Sequence, residues 1–147
     1  MFKRILVPLD GSKTSERVLP TVIEEARLHG AVIVLLRVIA PLRQSLMASP
    51  TSLAQVLKEV ELIAQDSLEE IAVKIRAEGL DVEAIIKQGN PAEKIYEIAQ
   101  AESCDLIIIG SHGETGNPRW RTGNIANKIL RTQSPIPNLL VTTQFPT

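Results

Sequence analysis

Two short stretches of this 147-residue sequence contain the residue types best suited to holding a ligand. The first places Asp10 directly before Gly11, and the second is Gly110-Ser111-His112-Gly113, followed further along by Gly123 and Asn124. Glycines let backbone N–H groups approach a phosphate without a Cβ in the way. A helix beginning near Asn124 would add free N–H groups and a positive helix end. The second stretch therefore indicates an anion site, although glycines at this density are equally expected in a plain turn.

Asp10 and Val38 would complement such a site. A carboxylate accepts hydrogen bonds from ribose hydroxyls, as acidic residues do in other doubly wound folds, and Val38 offers an apolar wall for a base. The sequence contains neither G-x-x-x-x-G-K-[ST] nor G-x-G-x-x-G, so the P-loop and the dinucleotide fingerprint are excluded.

No catalytic or metal-ligating residue is predicted. His112 is the tempting candidate, but no Ser-His-Asp or metal-ligand arrangement accompanies it, so we interpret it as a residue that orders its loop. Cys104 is the single cysteine, which excludes an internal disulfide, and we interpret it as inert packing.

Five apolar runs of strand length must position these residues. They are continuous rather than alternating, which is typical of strands buried on both faces of a parallel sheet. The runs are Ile5–Val7, Val32–Ile39, Val82–Ile86, Leu106–Ile109 and Leu139–Val141.

Segments of helical period separate these runs. Ser12 is placed to cap a helix that extends to about residue 28 and stops at Gly30. Pro20 lies inside that segment and should kink the helix or shift its start. The longest helix carries apolar residues spaced by threes and fours over 53–75 and stops at Gly79.

Asn90-Pro91 is a strong helix start, with Asn as the cap and Pro in the first turn. A last helix is predicted from Asn124, and the aperiodic segment Ala40–Pro50 is interpreted as a mobile loop, a candidate lid. The alternation of strands and helices predicts one α/β domain over residues 1–147, an open parallel sheet with helices on both faces. If the strand order is 3-2-1-4-5, the ligand crevice lies between strands one and four, at their carboxyl ends.

Composition limits the function further. The hydrophobic fraction of 44% and the charged fraction of 22% are ordinary for a soluble protein. A net charge of −1 gives no electrostatic basis for binding nucleic acid or an anionic membrane. Pro8 and Asp10 interrupt the first apolar run, which argues against a signal peptide, and no apolar stretch reaches the roughly 20 residues that span a bilayer. We therefore expect a cytoplasmic protein.

The motifs together resemble the universal stress protein family. Gly110-x-x-Gly113, nine residues and then Gly123 is similar to that family's ATP-binding signature, G-x-x-G-x9-G-[ST]. Ile5 to Ser12 resembles its first strand and acidic turn, Gly89 to Ile95 its third helix start, and Pro137 to Val141 its last strand. The similarity extends over essentially the whole chain.

The resemblance implies a Rossmann-like sheet in the order 3-2-1-4-5 and binding of an adenine nucleotide, ATP or AMP, usually with a divalent ion such as Mg²⁺. In members that bind ATP, the acid at Asp10 contacts the adenosine moiety, the residue at Val38 meets adenine, and the glycine loop holds ribose and phosphates. The implied site residues are Pro8, Leu9, Asp10, Val38, Gly110, Ser111, His112, Gly113, Gly123, Asn124 and Ile125.

The resemblance also implies a homodimer formed through the last strand. Two residues depart from the family pattern, since Asn124 stands where Ser or Thr is expected and Glu114 where a basic residue is frequent. Three functions therefore stay open: a non-catalytic nucleotide-binding stress protein, a slow ATPase on the same fold, and a dimerising member that has lost nucleotide binding.

Overall fold

The computed structural model describes residues 1–41, 50–111 and 136–142. The elements are β1 (Arg4–Leu9), a 3-10 helix (Ser15–Val18), α1 (Leu19–His29), β2 (Val32–Ile39), α2 (Pro50–Arg76), β3 (Val82–Gln88), α3 (Pro91–Ala101), β4 (Leu106–Gly110) and β5 (Asn138–Val141). The helix predicted from Asn124 lies outside the described residues, as does most of the loop predicted over Ala40–Pro50. That loop prediction is one residue too long, because Pro50 begins α2.

The five strands form one sheet in the order β3-β2-β1-β4-β5, and every pair is parallel. This confirms the predicted fold class and strand order. Four strands extend beyond their apolar runs, since residues such as Arg4, Lys87 and Asn138 also take part in the ladders.

Two apolar layers cover the sheet, one on each face. On β1, Ile5, Val7 and Leu9 pack with α1 and α2. Leu6, between them, belongs to the cluster that includes Ile95 of α3. The side chains of a strand alternate between its faces, so helices are needed on both, as predicted. The buried core consists almost entirely of aliphatic side chains.

The helix starts follow local chemistry. Pro20 stands in the first turn of α1, where its missing N–H costs nothing. The α-helix therefore begins at Leu19 and not directly after Ser12, which confirms the predicted alternative that Pro20 shifts its start; the 3-10 helix Ser15–Val18 precedes it. Asn90 caps α3 as predicted, since its side chain accepts a hydrogen bond from the Glu93 N–H at 3.3 Å.

Charged side chains hold the amino end of β1. The carboxylate of Asp105 accepts hydrogen bonds from the backbone N–H of Lys3 at 2.9 Å and of Arg4 at 3.0 Å. Arg4 donates in turn to Glu83 at 2.9 Å and to the Glu102 carbonyl at 2.7 Å. These bonds tie β1 to β3, to the end of α3 and to the start of β4.

Candidate functional site

The two ladders of β1 differ in length. β1 pairs with β2 at six positions, from Arg4 opposite Val32 to Leu9 opposite Arg37. With β4 it pairs at only two positions, both near its start. The described carboxyl halves of β1 and β4 are therefore not joined by a ladder. This is where the strand order reverses, the place at which open α/β sheets bind ligands.

Pro8 explains where the shorter ladder ends. The Arg4 carbonyl accepts a hydrogen bond from Asp105 N–H, on the β4 side. Every second residue of a parallel strand faces the same neighbour, so Leu6 and Pro8 also face β4. Proline has no N–H to donate, and the pairing stops after Leu6.

Asp10 lies directly after β1, and the residue is only 6% exposed. Its Oδ1 accepts hydrogen bonds from the Ser12 N–H at 2.8 Å and from the Ser12 hydroxyl at 2.6 Å. Its own N–H donates to Ser15 Oγ at 3.3 Å. A short acidic side chain that bonds the backbone two residues on forms an Asx turn, so the carboxylate is fixed beside the carboxyl end of β1.

Val38 lies beside Asp10 at this edge of the sheet. The last pair of the β1–β2 ladder is Leu9 with Arg37. Asp10 is the residue after Leu9, and Val38 is the residue after Arg37. Val38 is buried in the apolar cluster on the α3 face. Leu9 is buried on the opposite face, so only its backbone, and not its side chain, lies at this edge beside Asp10 and Val38.

The end of β4 brings Gly110 and Ser111 to the same edge. Gly110 pairs with Val141 of β5, and the N–H of Ser111 donates to the Val141 carbonyl at 2.8 Å. The structure thus brings Pro8, Asp10, Val38, Gly110 and Ser111 to one edge of the sheet. The remaining predicted site residues, His112, Gly113, Gly123, Asn124 and Ile125, lie outside the described residues.

One charged residue beside the site was not found from the sequence. The guanidinium of Arg37 lies against Gly11, whose φ is 89°, and a Cβ at Gly11 would collide with it. Arg37 reaches this position because it pairs with Leu9, one residue before the Asp10 turn. Only the long-range β1–β2 register reveals that proximity.

Cys104 is buried away from this edge, before β4. Burial raises the pKa of its thiol to about 11, so the thiol is protonated at neutral pH, in keeping with a packing role. Within the described part of the chain, no three His, Cys, Asp or Glu side chains converge to hold a metal ion. None of the described helices has the length and hydrophobicity needed to cross a membrane.

An open parallel sheet whose strand order reverses between β1 and β4 defines a Rossmann-like α/β protein. The model of the universal stress protein family matches residues 1–142. This chain belongs to the universal stress protein family.

Two relatives resemble the chain over most of its length. Universal stress protein MJ0577 of Methanocaldococcus jannaschii is 31% identical, over 89% of this chain and 90% of that protein. A universal stress protein of Thermus aquaticus is 32% identical, over 96% of this chain and 99% of that protein. The solved structure of MJ0577 superposes with a TM-score of 0.80 at 29% identity, covering 97% of this chain and 96% of that one.

Solved structures of more distant relatives contain nucleotides. A universal stress protein family protein from Arabidopsis thaliana was solved with AMP bound; it has a TM-score of 0.68 at 19% identity, over 95% of this chain and 91% of that one. The universal stress protein from Archaeoglobus fulgidus was solved with dAMP; it has a TM-score of 0.64 at 21% identity, over 95% and 98%. At these identities the likeness establishes the shared fold.

Proposed function

We propose that this universal stress protein binds an adenine nucleotide, ATP or AMP, in the crevice between the carboxyl ends of β1 and β4. The observation that carries the proposal is the buried carboxylate of Asp10, fixed by its own turn beside the part of β1 that does not pair with β4. A carboxylate oxygen accepts more than one hydrogen bond, so the bonds from Ser12 do not use up the acceptor capacity of Asp10. Ribose hydroxyls are donors of the kind that such a group accepts.

The other described residues at this edge suit the remaining parts of a nucleoside. Val38 supplies an apolar neighbour for the base, and Pro8 leaves room on the β4 side because it cannot extend the ladder. Gly110 and Ser111 lead from β4 into the stretch that we propose for the phosphates. That stretch comprises His112, Gly113, Gly123, Asn124 and Ile125.

A divalent ion such as Mg²⁺ would accompany a bound triphosphate. Mg²⁺ keeps several waters and takes much of its coordination from substrate phosphates rather than from a dedicated protein cage. At the described edge, Ser111 offers a hydroxyl oxygen where β4 leads into the proposed phosphate stretch, and so sparse a protein donor set suits that arrangement.

Nucleotide complexes in relatives support the proposal. AMP and dAMP occupy the two structures described above, and a further relative was solved with cAMP, at a TM-score of 0.69 and 20% identity over 97% of this chain and 98% of that one. The three ligands share an adenine, a sugar and a phosphate. We propose that this chain recognises the same chemical class.

We also propose that two copies associate through β5. This strand lies at one end of the described sheet, and Leu140 on it is 39% exposed. The buried Oδ1 of Asn138, at the start of the strand, has no hydrogen-bond partner among the described residues. An edge strand with an exposed apolar side chain favours pairing with another chain. We propose that the dimer acts in the cytoplasm, in the stress response, through nucleotide occupancy rather than catalysis.

The test of nucleotide binding uses the purified full-length protein. Mass spectrometry of the protein as isolated should detect retained adenine nucleotide, and calorimetry after nucleotide removal should detect binding of AMP or ATP. Asp10→Ala should weaken binding, and Asp66→Ala, on the exposed side of α2, should leave it unchanged. Absence of both retained nucleotide and binding at millimolar ligand would favour a member that has lost nucleotide binding.

The dimer is tested separately, by light scattering on the same protein. Leu140→Glu places a charge on the β5 edge and should shift the protein towards the monomer. Leu62→Glu is the matched control, because Leu62 is an exposed leucine on α2, at 53% exposure. A parent protein that is monomeric at all accessible concentrations would contradict the proposed interface.

A further inference from the structure

The hydroxyl of Ser12 makes two different hydrogen bonds. It donates to Asp10 Oδ1 at 2.6 Å, and its oxygen accepts from the Ser15 N–H at 3.0 Å. The second bond joins residues three apart, as in a helix N-cap. The first bond does not cap a helix. It and the bond from the Ser12 N–H, at 2.8 Å, both end on Oδ1 of Asp10.

The side chain of Ser15 forms hydrogen bonds to backbone groups of the same turn. Its hydroxyl donates to the Ser12 carbonyl at 3.0 Å and accepts from the Asp10 N–H at 3.3 Å. Ser15 is 4% exposed, so these bonds are made away from solvent. Ser15 therefore fixes the backbone of the turn, whereas Ser12 is bonded to the carboxylate itself.

The bonds from Ser12 to the carboxylate are important because the χ2 torsion of an aspartate has only a weak preference of its own. The carboxylate plane rotates in a broad, roughly two-fold well, and a hydrogen bond to a ligand requires a defined lone-pair direction. Two donors from one residue onto Oδ1 restrict that rotation. An acceptor that is already oriented loses less conformational freedom when the ligand arrives.

We propose that Ser12 is a positioning residue for nucleotide binding. Its hydroxyl holds the Asp10 carboxylate in the orientation that accepts the ribose hydroxyls. This inference rests on the proposed function, and it adds the residue that makes Asp10 selective for a ribose over a sugar without hydroxyls.

The experiment is a double-mutant cycle read with two ligands. Calorimetry compares the parent, Ser12→Ala, Asp10→Ala and the double variant, each with AMP and with the dideoxy analogue of AMP that lacks both ribose hydroxyls. The two ligands carry the same phosphate and base. Their affinity ratio therefore cancels changes in overall charge or stability.

We expect the parent to prefer AMP over the analogue by about tenfold, the effect of a hydrogen bond to a charged group. Ser12→Ala should reduce this preference by about threefold, through weaker AMP binding alone. Asp10→Ala should abolish the preference. The double variant should bind AMP no more weakly than Asp10→Ala, because Ser12 acts through Asp10.

Three further variants separate positioning from folding. Ser12→Thr keeps the hydroxyl and should restore the preference. Ser15→Ala loosens the same turn without removing a donor to the carboxylate, so it should lower thermal stability and keep the preference. Ser12→Gly lacks the hydroxyl at a position where glycine is tolerated as a cap, and it should behave as Ser12→Ala even if that variant folds poorly.

The outcomes separate the two proposals. If the parent binds AMP but Ser12→Ala weakens AMP and the analogue equally, Ser12 is only structural and this inference is wrong while the proposed function stands. Multiplicative losses in the double variant would also overturn it. If the parent binds neither ligand, the proposed function fails and the inference fails with it.

Discussion

The two ends of β1 are held in different ways. At the amino end, Asp105, Arg4 and Glu83 join β1 to β3 and to the start of β4 through charged hydrogen bonds. At the carboxyl end, Asp10 is held within its own turn by the N–H and hydroxyl of Ser12. The first arrangement fastens distant elements to one another. The second fixes a single carboxylate where the sheet opens.

The electrostatics of the amino end follow from this arrangement. Partial burial alone would raise the pKa of Asp105, but hydrogen bonds from the backbone N–H groups of Arg4 and Lys3 outweigh it and lower the pKa. The hydrogen bond from Arg4 lowers the pKa of Glu83. The ionised forms of both acids are therefore favoured by folding. The amino end of β1 stabilises the fold, and the carboxyl end provides the proposed ligand site.

The largest stability effect is expected from Asp105→Ala. It removes the acceptor of the Lys3 and Arg4 N–H groups and should lower the free energy of unfolding by about 2–3 kcal/mol, measured by urea denaturation. Affinity for AMP should be unchanged. Asp66→Ala, an exposed acid on α2, is the control and should alter neither quantity. A loss of AMP affinity in Asp105→Ala would break the division between the two ends.

A smaller stability effect with a functional consequence is expected from Gly11→Ala. Its φ of 89° is unfavourable for any residue with a Cβ, at about 1–2 kcal/mol. The new methyl group would also displace Arg37 from the Asp10 turn. We expect a loss of stability and weaker AMP binding, measured by urea denaturation and calorimetry.

Gly79→Ala is the matched control for that change. Gly79 has nearly the same φ, 88°, but a methyl group added there would point into open space. Gly79→Ala should lower the free energy of unfolding by a similar amount and keep the AMP affinity of the parent protein. Equal losses of affinity in both variants would mean that backbone strain, and not the Asp10 turn, governs binding.

The smallest effect is the pH dependence of the amino end. Because folding lowers the pKa values of Asp105 and Glu83, their stabilisation is complete above the unfolded values of about 4. It is lost as the pH falls through the lower folded values. Glu83 is about half exposed, at 47%, so its share is small and sensitive to salt.

The measurement is the free energy of unfolding from neutral pH down into the acid range, for the parent and for Asp105→Asn. The variant should show a shallower decline, since it lacks one of the two acids whose pKa folding lowers. An identical decline in both proteins would show that Asp105 does not contribute to the acid sensitivity.

The fold could be predicted because its strands and helices are marked by short sequence patterns, apolar runs and helix caps. Apolar runs located all five strands, and the Asn90 cap preceded a helix that begins at Pro91. For α1 the sequence left two outcomes open, a kink at Pro20 or a shifted start, and the structure shows the shifted start, at Leu19. Here two local signals conflicted, and the sequence does not rank them.

The candidate site was only partly predictable. Asp10 was predicted because it follows soon after an apolar run and Val38 because it lies near the end of one, and the register places them side by side. The bond from Ser12 to Asp10 had a signal, an aspartate with a serine two residues on, that was interpreted only as a helix cap. Arg37 had none, because its contact with Gly11 depends on which residue of β2 stands opposite Leu9.

The most direct test of the central claim is hydrogen–deuterium exchange of the full-length protein with and without saturating AMP. Binding in the crevice should slow exchange in peptides that contain Asp10 to Ser15 and in those that contain Gly110 and Ser111. Peptides that contain Asp105 but not Gly110, which report on the amino end of β1, should exchange at the same rate in both states. Protection confined to the amino end, or no protection anywhere, would contradict the account.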